Sequence, residues 1–231
     1  MNILGIDTSA VVCSVALVSD CKTLFAKTVS EGLTHSETLL PLIKEAFDAC
    51  DFSVSDLDGI AVSHGPGSFT GLRIGISAVK GLAISHGIPC IGVSTIEALA
   101  MNAIEEDGVV ICPVMDARRG EFYNGLFRVQ NHSLIRLCED RAIHGDRIAE
   151  ELAQYENVLI LGDGAEKFVQ QKPEFLPFLA SSDLRYQSGE SVAKLGFFMM
   201  KSGGSIVCNE LSPKYLRLPQ AEREWNAKNN K

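Results

Sequence analysis

Asp7-Thr8-Ser9, Asp116 with Arg118 and Arg119 beside it, and the run Gly65-Pro66-Gly67-Ser68-Phe69-Thr70-Gly71-Leu72-Arg73-Ile74-Gly75 hold the residue types of this chain that could do chemistry. A carboxylate with neighbouring hydroxyls at a strand end can order magnesium-bound water and the phosphates of a nucleotide. The same residues can close a tight turn through side-chain to backbone bonds, and spacing alone weights the turn over the ligand. Asp116 has the same two readings, its arginines either neutralising it or meeting an anion. The glycine-rich run opens a long helical pattern, so Gly65, Gly67 and Ser68 could cradle a phosphate-like group at a helix N-terminus. It is not a phosphate loop of the Gly-Lys-Ser/Thr kind, and its third glycine falls one place late for a dinucleotide fingerprint. Its small residues would also let another backbone come close.

The elements that must position these residues follow from periodicity. Residues 2–6 are an apolar strand ending at Asp7, and residues 11–18 and 23–29, parted by Ser19-Asp20, complete a meander. Thr34 and Glu37 have capping-box spacing before Leu39, Leu40, Ile43, Ala46, Phe47 and Cys50, a helical pattern that Pro41 should bend. A strand at 59–63, a helix at 68–86, a strand at 90–93 and a helix at 95–105 come next. The second half starts in the same way, with a strand at 109–115 ending at Asp116 and further strands at 121–129 and 134–138. A helix at 146–155 and a strand at 158–161 follow, closed by Gly162-Asp163-Gly164. Residues 172–182, with Pro173 and Pro177, read as loop, and 190–200 as helix before Gly203-Gly204. Two β-β-β-α-β units predict a duplicated α/β fold with domains at 1–104 and 105–231, the second abbreviated.

The helix at 68–86 is apolar over most of its girth. Gly71, Gly75, Ala78 and Leu82 form one stripe, Leu72, Ile76, Val79 and Ala83 the next, and Arg73, Ser77 and Lys80 a narrow polar edge. Two interior glycines cost about 1 kcal/mol each against alanine, which close packing can offset. That packing is either within the chain or against a second subunit.

A formal charge of −8 counts against unaided binding to phosphate backbones, whose affinity comes from Lys and Arg. The tail from Lys214 is locally basic and reads as a solvated end. Seven scattered cysteines with no C-x-x-C pair fit buried thiols in a reducing cytosol. The N-terminus, with Asp7 in its apolar stretch, reads as neither a signal peptide nor a membrane span, so a cytoplasmic protein is expected. His35, His64, His86, His132 and His144 are isolated and make no metal set, and no nucleophile elbow occurs.

Together, Ile3-Leu4-Gly5-Ile6-Asp7-Thr8-Ser9, His35-Ser36 before Leu39-Leu40-Pro41, the glycine-rich run to Arg73, Asp116-Ala117-Arg118 with Glu121 and Tyr123, and Pro213-Lys214-Tyr215-Leu216-Arg217 resemble the bacterial TsaB (YeaZ) family. The resemblance covers nearly the whole chain. It implies an actin/Hsp70/sugar-kinase-like (ASKHA) fold of two RNase-H-like domains. It also implies a part in making threonylcarbamoyladenosine beside the transfer-RNA anticodon, as partner of a TsaD-type catalytic subunit and a TsaE-type ATPase, with self-pairing in the family. The catalytic sister's metal-binding His-x-x-x-His aligns with Thr95 and Leu99 here, and Leu99 cannot coordinate a metal. The expectation is a non-catalytic scaffold that meets transfer RNA only through the complex. No tightly bound cofactor is expected, and the resemblance leaves room for ATP or ADP with magnesium at a heteromeric interface. The expected docking surface is Leu39, Ile43 and Phe47 with Gly71, Leu72, Gly75, Ile76, Ala78, Val79 and Leu82. The alternative is a nucleotide-dependent phosphotransferase using Asp7 and Asp116 around magnesium.

Overall fold

Runs of apolar and β-branched residues over Asn2–Asp7 (β1), Cys13–Ser19 (β2) and Lys22–Val29 (β3) build an antiparallel meander, the first two strands buried on both faces. Its tight β2–β3 turn uses Asp20 and Cys21, both at positive φ (47° and 66°), the twist that suits a two-residue hairpin. The structure is a computed structural model describing residues 1–30, 34–205 and 207–217, so the basic tail beyond Arg217 lies outside the described residues. Gly59–Gly65 (β4) and Cys90–Ser94 (β5) add parallel strands, giving the order β3-β2-β1-β4-β5. Parallel neighbours need crossovers. Two helices supply the first crossovers, His35–Cys50 (α1) between β3 and β4 and Phe69–Ile84 (α2) between β4 and β5.

The capping box at α1 is formed, with the Thr34 N–H donating to Glu37 Oε2 at 3.0 Å. The helix runs through Pro41, which sits on its exposed side. One face of the sheet, carrying Leu4, Ile6, Val15, Leu17, Ile60 and Val62, packs on α1 and α2 in a single core.

The second sheet has the order β8-β7-β6-β9, from Val110–Asp116 (β6), Glu121–Gln130 (β7), Ser133–His144 (β8) and Val158–Leu161 (β9). Its outer face packs on Gly145–Leu152 (α4), Ala165–Gln171 (α5) and a 3-10 turn at Pro173–Phe178, around Phe122, Phe168 and Phe175. Strand β8 runs to His144, six residues beyond the predicted 134–138 segment, because register shifts opposite Leu126 break the alternation that would have marked it. Helix α5 was not expected at all. It is two turns long, too short for periodicity to show.

The domain boundary needs correction. The last helix, Gly189–Lys201 (α6), leaves the second half of the sequence and covers the other face of the first sheet, where Val192, Ala193, Leu195 and Phe197 meet Ile3, Val18, Ala61 and Ile91. Close approach is possible because Gly189 faces Gly5 and Gly196 faces Ala61, where any added Cβ would overlap a neighbour. Residues 189–201 therefore belong to the N-terminal domain in space.

Between the sheets lies Thr95–Met101 (α3), which ends at Met101 rather than 105 and buries Ile96, Leu99 and Ala100 against Ile111, Met115 and Phe127. Asn102 donates to the carbonyls of Leu184 and Tyr186 and accepts from Ser191 of α6. All seven cysteines are free. Burial pushes the thiols of Cys13 and Cys112 up to about 12, which makes them inert packing groups. Among the described residues no helix is long and apolar enough to cross a membrane.

Candidate functional site

Asp7, at the C-terminal end of β1, is fully buried. Its Oδ1 accepts the Ser9 N–H at 2.8 Å and the Ser9 hydroxyl at 2.6 Å, and its Oδ2 accepts the Ser63 hydroxyl. Burial raises its pKa above the ordinary carboxylate value, and the serine bonds only partly oppose that. The next two residues meet α2 directly. Thr8 Oγ1 donates to the Gly71 carbonyl at 2.8 Å, and the Ser68 N–H donates to the Ser9 carbonyl at 2.6 Å. A Cβ at Gly67 or Gly71 would overlap the carbonyl of Ser9 or Thr8, and one at Gly75 would press on Thr8 Oγ1. His35, at the start of α1, donates to the Ala10 carbonyl at 2.8 Å and closes the same corner. The glycines thus serve a backbone-to-backbone seam.

In front of this seam, between the domains, lies a cleft of about 600 Å³. Ser9, Gly67 and Ser68 line it from the N-terminal domain, and Asp116, Arg118, Tyr123 and Asp163 from the other, with Tyr215 to Arg217 forming a wall. Both oxygens of Asp116 take bonds from Lys167 Nζ at 2.8 Å, and Oδ1 also accepts the Arg118 N–H. Arg118 and Arg119 hold left-handed backbone (φ 66° and 58°) in the β6–β7 turn and project from its exposed tip. Asp163 accepts from Gln187 Nε2 at 3.2 Å, and burial pushes its carboxyl up to about 6, with Asp116 and Asp7 adding to the rise. Gln187 Oε1 beside it is buried without a partner.

The residues predicted from the sequence therefore separate. Ser9, Gly67, Ser68 and Asp116 share the cleft, whereas Asp7 and Thr8 stand behind it in the seam and Gly65 is covered by the chain at Lys214. A nucleotide whose magnesium is held by Asp7 and Asp116 does not fit: Asp7 has no exposed oxygen, the Ser68 N–H is already given, and Asp116 is paired with Lys167. The docking surface also needs correction. Leu39, Ile43, Gly71, Leu72, Gly75, Ile76 and Val79 are buried inside the chain against the first sheet and the seam. Only Phe47, Ala78 and Leu82 of that set keep part of their surface outside.

Sequence reasoning missed Asp163 and Tyr215 as cleft residues and Lys167 as the partner of Asp116. A signal was present for the first. Asp163 follows β9, the parallel neighbour of β6, which ends at Asp116 just as β1 ends at Asp7 beside its own parallel neighbour β4. The C-terminal ends of parallel strands are where α/β sheets present their sites. Thr95 and Leu99 are buried in α3, and among the described residues no three His, Cys, Asp or Glu side chains converge as metal ligands do.

Two meander-plus-crossover sheets facing one another across a cleft define an actin/Hsp70/sugar-kinase-like protein built from RNase-H-like domains. An activator of 2-hydroxyisocaproyl-CoA dehydratase from Clostridium difficile, solved with bound ADPNP, shares this fold at a TM-score of 0.51 and 7% identity, over 88% of this chain and 97% of that one. YeaZ from Pseudomonas aeruginosa superposes at 0.81 with 28% identity, over 93% and 99%. The family model TsaD, tRNA N6-adenosine threonylcarbamoyltransferase, matches residues 31–195. The tRNA threonylcarbamoyladenosine biosynthesis protein TsaB of Bacillus subtilis (strain 168) is 33% identical over 97% of this chain and 98% of its own length. Its namesake in Escherichia coli (strain K12) is 30% identical over 94% and 95%. The chain belongs to the TsaB family.

The seam predicts opposite effects for two glycines of one helix. Gly71→Ala should destabilise by roughly 3 kcal/mol, because its Cβ meets backbone that cannot move aside. Gly81→Ala, with open space around its Cβ, should stabilise by about 1 kcal/mol through helix propensity. Urea unfolding of both variants checks the pair.

Asp163 predicts a pH effect. Its folded carboxyl holds its proton up to about 6, while the unfolded one releases it near the ordinary carboxyl value of 3.8, so stability falls as pH rises through that window. Asp163→Asn removes the penalty and should gain on the parent by up to about 3 kcal/mol at pH 7, and much less near pH 4. Parallel stability profiles for the two proteins would contradict this.

Proposed function

We propose that this chain takes part in making threonylcarbamoyladenosine in transfer RNA as a non-catalytic scaffold, docking a TsaD-type catalytic subunit through the outer face of α1 and α2. The observation that carries the reading is the uncovered apolar surface on those two helices. Leu40 is 57% and Ile84 65% exposed, and half-buried Phe47, Ile74, Ala78 and Leu82 lie on the same two helices. Gly81, also on α2, leaves room there for a close partner, since nothing lies within 4 Å of where its Cβ would be. A soluble chain that leaves apolar helix surface beside small residues has the makings of a helix-to-helix contact. Family membership supplies the process and the kind of partner, since the named relatives are biosynthesis proteins of this nucleoside.

In this reading the TsaE-type ATPase joins the pair, transfer RNA is met through the assembled complex, and ATP or ADP with magnesium sits at the boundary between subunits. The same helix face would serve self-pairing when the catalytic subunit is absent. The buried Asp7 and the ion-paired Asp116 support a scaffold over a phosphotransferase.

Leu40→Glu and Gly81→Arg test the surface, because both positions face outward and leave the core untouched. Leu40→Glu should keep the parent's melting temperature and Gly81→Arg should match or exceed it, while each binds the TsaD-type subunit about tenfold or more weakly and loses product in proportion when the modification is reconstituted. The parent alone should turn over no ATP. Unchanged association of both variants would remove α1 and α2 from the interface.

A further inference from the structure

The two domains are joined on two sides, and the two joints differ in kind. On the α3 side the joint is sheltered. Arg136 of β8 pairs with Glu97 and Asp140 at 2.6 Å, and Ser94 donates to Asp140, whose side chain is 2% exposed. On the cleft side the joint is the segment 211–217. Leu211 is buried in the core of the N-terminal domain, and the Lys214 N–H donates to the His64 carbonyl at 2.7 Å. Gly65 is glycine where this segment passes, because a Cβ there would overlap the Lys214 carbonyl and its φ is +132°.

Tyr215 then stacks on Phe69, the first residue of α2, with ring centroids 4.5 Å apart and planes 21° from parallel. Arg73 lies 3.7 Å from the centre of the Phe69 ring and its Nε donates to the Tyr215 hydroxyl at 3.0 Å. Two residues on, the segment has changed domains. Arg217 donates to the Ala117 carbonyl at 2.6 Å and pairs with Glu121 at 2.7 Å.

We propose that residues 213–217 are a releasable strap across the mouth of the interdomain cleft, so that access to the cleft depends on undoing the Tyr215 and Arg217 anchors while the sheltered α3 joint acts as the hinge. The ion pairs of the two joints are about equally exposed, so the difference lies in packing. The α3 joint is backed by Ile96, Leu99 and Ala100 buried against the second sheet, whereas the strap is held by the exposed Tyr215 on Phe69 and by single polar contacts, which are individually weak. Local opening follows the weaker side. Because a short stretch of chain carries both anchors, loss of the Arg217 anchor on one domain should loosen the Lys214 bond on the other. This strap belongs to the chain itself and does not rest on the docking surface assigned to α1 and α2.

Arg217→Ala and the double variant Tyr215→Ala/Arg217→Ala, made in the full chain, test it by amide exchange and hydroxyl-radical footprinting. In Arg217→Ala the Lys214 amide should lose about tenfold or more of its protection. In the double variant oxidation of Met115, a cleft residue 2% exposed in the closed form, should rise about tenfold while the already exposed Met199 stays constant. Unchanged Lys214 protection in Arg217→Ala would show that the anchors are not coupled. Unchanged Met115 oxidation with a freed strap would show that the strap does not close the cleft. Either result overturns the proposal, and the single variant still decides the first point should the double one fail to fold.

Discussion

The structure turns on a contact between two pieces of backbone, the Asp7-Thr8-Ser9 turn and the first two turns of α2. Three features are needed at once. The turn must be held rigid, which Asp7 does by collecting the Ser9 and Ser63 donors in a fully buried position. The helix and the turn leading into it must present no side chains on that edge, which Gly71 and Gly75 in α2 and Gly67 just before it provide. The polar groups driven together must satisfy one another, as Thr8 with Gly71 and Ser68 with Ser9 do. With α2 fixed in this way, Leu72, Ile76 and Val79 fall onto the sheet and α1 follows through His35. Removing any one feature leaves a buried carboxylate or an open carbonyl, so the seam works as a unit.

The same economy of side chains recurs on the opposite face. Gly5 lets the α6 backbone in at Gly189, and Gly196 rests on Ala61, so the first sheet is clasped closely on both sides. The consequence reaches beyond packing. Because α6 is drawn from the end of the chain, the segment that follows it must return past the N-terminal domain before reaching Arg217. The route of residues 207–217 is therefore a product of where α6 is held. The strap across the cleft is built from chain that has nowhere shorter to go.

How much was legible in the sequence follows from which signals are local. The meander, α1 and the crossover strands announce themselves through apolar and β-branched runs, helical spacing and the Thr34–Glu37 box, and the structure has them close to where the sequence puts them. Strand β8 was cut short because its register shifts interrupt the alternation near Cys138, and α5 was invisible because seven residues give a helical period little to repeat. The position of α6 was out of reach for a different reason. Its composition shows that it must be buried, but which sheet covers it is decided by Gly189 and Gly196 meeting particular residues far away in sequence. The stripes of α2 were seen, and their use was not. A helix apolar on most sides says that two surfaces cover it, and only the glycine seam reveals which side faces inward.

The seam also decides what the cleft can do. An anion at a helix start needs free backbone N–H groups, and a close turn needs the same donors for its own carbonyls. The two uses of a glycine-rich run are therefore exclusive, donor by donor. Here the Ser68 N–H is spent on Ser9, and the carboxylate that could have steadied a metal is enclosed behind it. What stays open is a cleft whose acids are held by Lys167 and Gln187 and whose mouth is crossed by Tyr215 and Arg217. In this chain the glycines of the run hold the fold together, and the anion-binding use that their composition first offers is given up where the Ser68 N–H closes on Ser9.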